Sequence, residues 1–262
     1  MRFIRTFLVA FLFTGAVLNT NAQAPGYMGK HFIVCYDIYT IPALRNYNEN
    51  GKTGLLALNT RHVISADWVM GLKQSIGLSF HYTKSQFKFR KSFDFRYKYL
   101  DDHGDTNYFT SSMEYGDTRG ELSAVALGIH TNLYFKKFLA PLGGYFKPEI
   151  LLIRFTASFD DSLANRNLSK NTENKGLHSM LNYPELTNEN AYYTASIGAT
   201  IGTHYIFYNR IVFDIGFQLG YVFGSKLFGD YNQTDYISSC AKSRLMSQYF
   251  LNINAGLGIL IF

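Results

Sequence analysis

After residue 22, this sequence has no apolar run long enough for a membrane-spanning helix, which needs about 20 residues. A helical membrane protein is therefore excluded. The chain has only two cysteines, and because Cys35 falls in a predicted strand and Cys240 in a predicted loop, we expect no disulfide between them. Basic residues exceed acidic ones only modestly, 25 against 19. So small an excess gives no reason to expect nucleic acid as a partner.

The amino terminus has the layout of a cleaved secretory signal. Arg2 and Arg5 precede the apolar run from Phe7 to Leu18, and small and polar residues follow it. The apolar run is shorter than the roughly 20 residues of a spanning helix. We therefore predict a signal peptide over residues 1–22 and one domain over residues 23–262. A retained amino-terminal anchor is the alternative.

A regular alternation of side chains marks the carboxy-terminal part of the chain. From Ile211 to Phe223 the odd positions are Ile, Phe, Leu and Tyr, whereas the even positions are mostly Gly, Asp, Gln and Val. Tyr249 to Phe262 alternates in the same way. Because successive strand residues point to opposite faces, each segment has one apolar face that fits lipid. The other face is small or polar and fits the interior of a closed barrel.

Eight segments carry such a pattern, which predicts an all-β, closed, antiparallel, up-and-down transmembrane barrel of eight strands over residues 23–262. The segments lie near residues 31–39, 55–68, 75–82, 124–135, 145–159, 192–207, 211–224 and 249–262. Aromatic residues are as frequent as charged ones, at 17% each, which suits alternating strands. A water-soluble sandwich or lipocalin fold is disfavoured, because its outward faces would be polar.

The connections between these segments alternate in length. Those after the second, fourth and sixth strands are short, and those after the third, fifth and seventh are long. Transmembrane barrels have short periplasmic turns and long outer loops, so we expect both termini in the periplasm. Eight strands enclose a lumen that side chains just fill, which disfavours a general diffusion pore.

The residues predicted to face the lumen include charges of both signs. In a narrow, dry lumen a lone charge costs several kcal/mol, so we expect opposite charges to pair and to block permeation. A gated or ion-conducting lumen is the alternative. In the fifth strand, Leu151, Ile153 and Phe155 are expected outward, with a bulge or an interfacial strand end near Pro148. The predicted polar network of the lumen consists of Asp37, Arg61, Asp67, His130, Arg154, His204, Asp214 and Gln218.

The connection after the third strand alternates aromatic and mainly basic residues from Phe87 to Tyr99. The aromatic parity differs from that of Tyr82, which predicts a bulge near residues 85–86. We expect a hairpin with Thr106 to Arg119, turning at residues 101–105. This hairpin is a candidate docking surface for a protein partner, or else an aromatic girdle whose basic side chains meet lipid phosphates. Its candidate contact residues are Phe89, Arg90, Phe93, Phe95, Arg96, Tyr97 and Lys98.

The signal, the eight alternating strands, the alternating connections and the terminal Phe262 together resemble the small outer-membrane barrels of the OmpX and OmpA-membrane-domain type. The resemblance implies a location in the bacterial outer membrane, among outer-membrane lipid and lipopolysaccharide. It also implies that the outer-membrane insertion machinery reads the last strand, which ends at Phe262. Since no domain follows the barrel, a peptidoglycan tether is not expected.

The leading functional hypothesis is a non-enzymatic barrel with a structural, surface-interaction or envelope-complex role. The alternative is a lipid-modifying or hydrolytic barrel enzyme, which would need Ser, His and a carboxylate at the outer rim. His178 and Ser179 are the only adjacent pair of that kind in the outer loops. The Asp, His and Gly residues of 101–105 are typical of a turn rather than a metal site. We predict no catalytic residue, cofactor or metal ion.

Overall fold

The computed structural model describes residues 27–43, 47–88, 93–100, 103–113, 119–135, 139–159, 180–182, 191–224 and 236–261. The predicted signal at residues 1–22 lies outside the described residues, as do Phe89, Arg90 and Phe262, so the expectations about them stay predictions. Within the described ranges, no helix has the length and hydropathy needed to cross a membrane.

The described chain forms strands and one helix, α1, which covers Tyr236–Phe250. The strands are β1 Phe32–Ala43, β2 Gly54–Gly71, β3 Gln74–Lys88, β4 Phe93–Leu100, β5 Thr106–Met113, β6 Arg119–Tyr134, β7 Gly143–Phe159, β8 Met180–Asn182, β9 Ala191–Phe207, β10 Ile211–Val222 and β11 Leu251–Ile261. Eight of these strands close a barrel in the order β1, β11, β10, β9, β7, β6, β3, β2. All neighbours are antiparallel, which confirms the predicted fold.

The two ends of the barrel differ in their connections. At one end, called the short-turn end, the links are residues 72–73, 135–142 and 208–210, and β1 begins beside the end of β11. The other end, called the long-loop end, has the β1–β2 link, residues 44–53, and three longer links that carry additional structure. The link after β3 contains β4 and β5, the link after β7 contains β8, and the link after β10 contains α1.

The strand alternation separates an apolar exterior from a buried interior. Large apolar side chains cover the outer face, and residues such as Leu127 and Leu152 are 66% and 62% exposed. The intervening residues of the same strands are buried inside the barrel. A contiguous apolar exterior of this size fits lipid and not water. The barrel therefore spans a membrane.

The prediction for the fifth strand, now β7, is wrong in its parity. Arg154 is exposed on the outer face, whereas Leu151, Ile153 and Phe155 are buried inside the barrel. The register between β6 and β7 stays constant through Pro148, so the expected bulge is absent. The physical reason is that Lys147 and Glu149 share parity with these apolar residues. Two charges near mid-strand are far more costly in lipid than apolar groups are in a packed interior.

The bulge expected near residues 85–86 is also absent. The β3–β6 register runs unbroken, with Ser85 opposite Leu122 and Phe87 opposite Gly120. Phe87 is buried inside the barrel on the same parity as the polar residues below it. At the long-loop end the lumen therefore accepts an aromatic side chain, because Phe87 packs there in an apolar cluster with residues of the helix 236–250.

Beyond the barrel, β4 and β5 pair as an antiparallel hairpin from Phe93 opposite Met113 to Leu100 opposite Thr106. Phe87 and Lys88 belong to β3 and not to this hairpin. The short strand β8 pairs with β4 on its other edge, which gives a three-stranded sheet in the order β5, β4, β8. The turn includes Gly104 with a φ of 79°, in the left-handed region that favours glycine.

The filling of the long-loop end is α1, which the sequence did not predict. The sequence predicts a loop between the strands at residues 211–224 and 249–262, with the last strand beginning at Tyr249. Instead α1 continues to Phe250, β11 begins at Leu251, and Tyr249 is buried inside the barrel. The sequence of α1 lacks a clear apolar stripe, and the helix buries polar residues such as Arg244 and Gln248 as well as apolar ones such as Leu245 and Met246.

The outward parity of β10 generates a depth-dependent prediction. Ile215→Arg should impair folding into lipid vesicles by about 2–4 kcal/mol, because it places a charge near the bilayer midplane. Tyr221→Arg, near the long-loop end of the same strand and face, should cost only about 0–1 kcal/mol. Urea titrations of vesicle-inserted protein measure both changes. Equal costs for the two variants would contradict the assignment of this face to lipid.

Candidate functional site

The interior of the barrel is filled in three layers. An apolar layer lies at the short-turn end and contains Ile33, Val212 and Leu260 in one cluster and Val69, Tyr134 and Tyr145 in another. A polar layer occupies the middle. At the long-loop end, α1 packs against the inward faces of β3, β6, β7 and β10. The polar layer is therefore enclosed between two apolar ones.

Arg61 lies at the top of the polar layer between two aromatic rings. Its guanidinium carbon is 4.6 Å from the ring centre of Tyr39 and 4.0 Å from that of Tyr249 in α1. Its Nη2 donates to Oε1 of Gln218, and Gln218 Nε2 donates to Oε2 of Glu149 at 3.4 Å. The ring faces stabilise the buried cation, so that Arg61 connects α1 to the polar layer.

Glu149 collects the donors at the centre of the lumen. Its Oε1 accepts from Ser79 Oγ at 2.6 Å and lies 3.1 Å from His81 Nε2. Its other oxygen accepts from the Gln218 amide, so Glu149 connects β7 to β3 and β10. Gln218 extends this connection to β2 through its hydrogen bond with Arg61. A buried carboxylate with this many donors is well compensated.

Two further carboxylates follow the same scheme. Asp67 Oδ1 lies 2.8 Å from His130 Nε2 and accepts from Asn132 Nδ2, also at 2.8 Å. Asp214 accepts from Tyr145 Oη at 2.8 Å and from Asn254 Nδ2 at 2.7 Å. His204 Nε2 lies 3.5 Å from the same carboxylate. Each of the three acids therefore has a histidine and at least one neutral donor.

Seven of the eight residues predicted for the lumen lie buried inside it, and Arg154 lies outside. The seven are Asp37, Arg61, Asp67, His130, His204, Asp214 and Gln218. The expected pairing of Arg61 with an aspartate does not occur among the described residues. Asp37 lies instead beside Asp214. The direct partners of Asp67, Glu149 and Asp214 are histidines and neutral donors, so these three carboxylates do not need a buried Lys or Arg in contact with them.

Sequence reasoning left several members out of the network. Lys147 and Glu149 share one parity within a spanning strand, and that pattern was the available signal for an inward position. Tyr39 follows the inward parity of Cys35 and Asp37 in β1. Nothing in the alternation marks Tyr249, because its position depends on a helix folding into the barrel.

Arg244 fixes α1 to the rim of the barrel. Its Nε donates to the Gln86 carbonyl at 2.8 Å. Its Nη2 donates to the Tyr47 carbonyl at 2.7 Å and to Asn59 Oδ1 at 2.5 Å. Burial lowers the pKa of Arg244 to about 10, which still leaves it charged at neutral pH. Leu245 and Met246 lie beside it in the apolar cluster.

The contacts of Ser79, His81 and Glu149 differ from those of a catalytic triad. The Ser79 hydroxyl donates a hydrogen bond to Glu149. His81 Nε2, 2.9 Å from Ser79 Oγ, therefore has to act as the donor in its contact with that oxygen. A nucleophilic serine needs the reverse arrangement, with histidine as the acceptor. The three residues are also buried beneath α1 and not placed at a rim. His178 and Ser179 lie outside the described residues.

Across the described ranges, no group of three or more His, Cys, Asp and Glu side chains is arranged to hold a metal ion. Cys35 and Cys240 are both buried, and no disulfide joins them. Cys35 belongs to the apolar layer at the short-turn end and Cys240 to α1, so they lie at opposite ends of the lumen.

The closed eight-stranded barrel with its filled lumen defines a small membrane-spanning protein, and three solved structures align with it. Neisserial surface protein A aligns with a TM-score of 0.40 and 9% identity over 88% of this chain and 96% of that one. Ail from Yersinia pestis, in complex with the heparin analogue sucrose octasulfate, aligns with a TM-score of 0.38 and 8% identity over 88% and 97%. OprG from Pseudomonas aeruginosa gives 0.37 and 7% over 88% and 93%.

The chain is similar to these small outer-membrane barrels. At such TM-scores and identities, no argument about fold or function rests on the likeness. No protein-family model matches the sequence, and a search of curated proteins gave no match.

The central position of Glu149 predicts a large cost for its removal. Glu149→Ala leaves Ser79, His81 and Gln218 without their acceptor and should lower the free energy of unfolding by about 3–5 kcal/mol. Glu121→Ala is the matched control, because that carboxylate is exposed on the outer face of β6, and should change stability by less than about 0.5 kcal/mol. Urea unfolding in vesicles measures both. Similar values for the two variants would show that the network contributes little.

Proposed function

We propose that this protein is a non-enzymatic integral outer-membrane barrel that acts through its surface, as a structural or docking subunit of an envelope complex. The observation that carries the proposal is the combination of a filled lumen with a sheet that stands beyond the barrel. Among the described residues, apolar layers enclose the polar middle of the lumen on both sides, which supports a barrel that does not conduct solutes. Interaction is then left to the exterior and the long connections.

The proposed orientation follows from the two barrel ends. Barrels of this kind have short turns on the periplasmic side and long loops outside. Both termini would then lie on the periplasmic side. The end of β11, which leads to Phe262, would also lie there, where the insertion machinery acts. The β5–β4–β8 sheet would face the medium. The apolar exterior would contact outer-membrane lipid and lipopolysaccharide.

The docking element is the β4–β5 hairpin. Along β4 the sequence alternates Phe93, Phe95 and Tyr97 with Asp94, Arg96 and Lys98. A strand assigns alternate residues to opposite faces, so aromatic and charged residues separate. Aromatic residues and arginine are enriched at the centres of protein interfaces. A protein partner with a complementary apolar patch and acidic rim suits this element.

A triple substitution tests the hairpin. Replacing Phe93, Phe95 and Tyr97 with Ser should leave the barrel folded and heat-modifiable on gels, because these residues lie outside the barrel strands. It should abolish recovery of the protein that a photocrosslinker at position 100 captures in the outer membrane. Tyr208→Ser, which removes an exposed aromatic at the short-turn end, should leave recovery unchanged. Failure of the triple variant to insert would instead assign these aromatics to the lipid girdle.

A conductance measurement tests the sealed lumen. The full-length mature protein in planar bilayers should show no steady ionic current, because the lumen is filled at both ends. Leu245→Ala should not open a stable pore but should destabilise the barrel by about 2–5 kcal/mol through the cavity it leaves under α1. Lys242→Ala on the same helix is the matched control. Steady channel openings of the unmodified protein would contradict the proposal.

A further inference from the structure

Two basic side chains on the outer face are unexplained by the lumen or the hairpin. Arg154 in β7 is exposed and Lys84 in β3 is half-buried, both on the side that faces lipid. Neither makes a hydrogen bond or ion pair with any residue that the structure describes. A charge on a lipid-facing surface is costly unless it meets an anion or water. Nothing in the described part of the chain therefore compensates these two cations, and an anion at the membrane surface would do so.

The strand registers bring the two cations together. Tyr82, Val125, Arg154 and Tyr193 form one row of paired residues across β3, β6, β7 and β9. The next row toward the long-loop end contains Lys84, Ser123 and Thr156. Lys84 and Arg154 are thus two strands and one row apart, about 12 Å between Cα atoms. Two long side chains span that distance, with the hydroxyls of Ser123 and Thr156 between them.

The depth of the row fits the boundary between hydrocarbon and headgroups. Arg154 lies eight positions along β7 from the exposed Phe146 near the short-turn end, which is about 20 Å of height for a tilted strand. The apolar band of such barrels is about 25 Å tall and has an aromatic girdle at each edge. Tyr82 and Tyr193, 40% and 66% exposed, supply the girdle residues of this row. On the short-turn side of this row, β6 and β7 expose Leu127 and Leu152.

We propose that Arg154 and Lys84, with Ser123 and Thr156 between them, bind the phosphate groups of a lipid headgroup in the leaflet at the long-loop end. The planar guanidinium binds two phosphate oxygens at once, the ammonium supplies a point charge, and the hydroxyls donate to the remaining oxygens. The acyl chains then lie against the apolar band below. Glu121 lies one row farther out, beyond both cations. The site rests on the membrane placement proposed above but not on the docking role of the hairpin.

The test uses full-length mature protein in a maltoside detergent, which contains no phosphate. Diphosphorylated lipid A is titrated, and bound lipid is counted by native mass spectrometry. Arg154→Gln and Lys84→Gln should each weaken binding about fivefold, and the double variant more, since one cation at a membrane surface contributes that much. Lys52→Gln removes an exposed cation from the β1–β2 connection and should leave binding unchanged. Lipid A without its phosphates should bind the unmodified protein weakly. Its affinity should be no higher than the affinity of diphosphorylated lipid A for the double variant.

Three results would overturn the site. Equal weakening by Lys52→Gln would indicate diffuse charge attraction, and unchanged binding by the double variant would remove both cations from the site. If inorganic phosphate displaced the lipid at a concentration comparable to that of lipid A, the residues would form a site for free phosphate and not for a lipid headgroup. Heat-modifiability checks the fold of each variant, and Lys84→Gln gives an independent reading if Arg154→Gln folds poorly. The hairpin triple variant should bind lipid A normally, which separates this test from that of the docking role.

Discussion

A closed barrel in lipid buries most of the polar side chains of its spanning strands in a narrow interior, where a carboxylate without donors is costly. This constraint explains the arrangement around Glu149, where Ser79, His81 and Gln218 converge on one carboxylate. It applies on the outer face as well. The half-buried His62 has its Nδ1 2.7 Å from the hydroxyl of Tyr36. The strand registers follow from the same need, because a slip of one residue would exchange lumen and lipid faces.

The constraint also explains why the inward faces change character along the barrel. In the middle they carry Asp67, Glu149 and Asp214, which histidines and neutral donors satisfy. Toward the long-loop end the same parity carries Phe87, Leu122 and Phe155, which pack against α1. The helix and the apolar positions require each other. Without α1 these side chains would face water, and without them α1 would have no surface to bury.

Because the interior is filled, the functions proposed for this protein depend on its outer surface. The sheet of β4, β5 and β8 extends beyond the barrel strands, and two cations lie at the edge of the apolar band. The first is the basis for proposing a protein partner and the second for proposing a lipid phosphate. The two surfaces lie on different elements, so a protein at the hairpin and a lipid beside β7 do not compete for the same residues.

The sequence by itself determined the eight spanning strands and the inward positions of residues such as Asp37, Asp67 and Asp214, because alternation is a local property with a period of two. It did not determine α1 or the position of Tyr249. In β7 both parities carry apolar residues, and the shared parity of Lys147 and Glu149 was the one local signal for the inward face. The reason that Leu151, Ile153 and Phe155 accompany them inside is visible only in the tertiary structure, where these residues pack against α1. The partners of Arg61 were equally hidden, since Tyr39, Gln218 and Tyr249 come from distant segments. Local pattern identifies a face, whereas contacts across the lumen exist only once the barrel has closed.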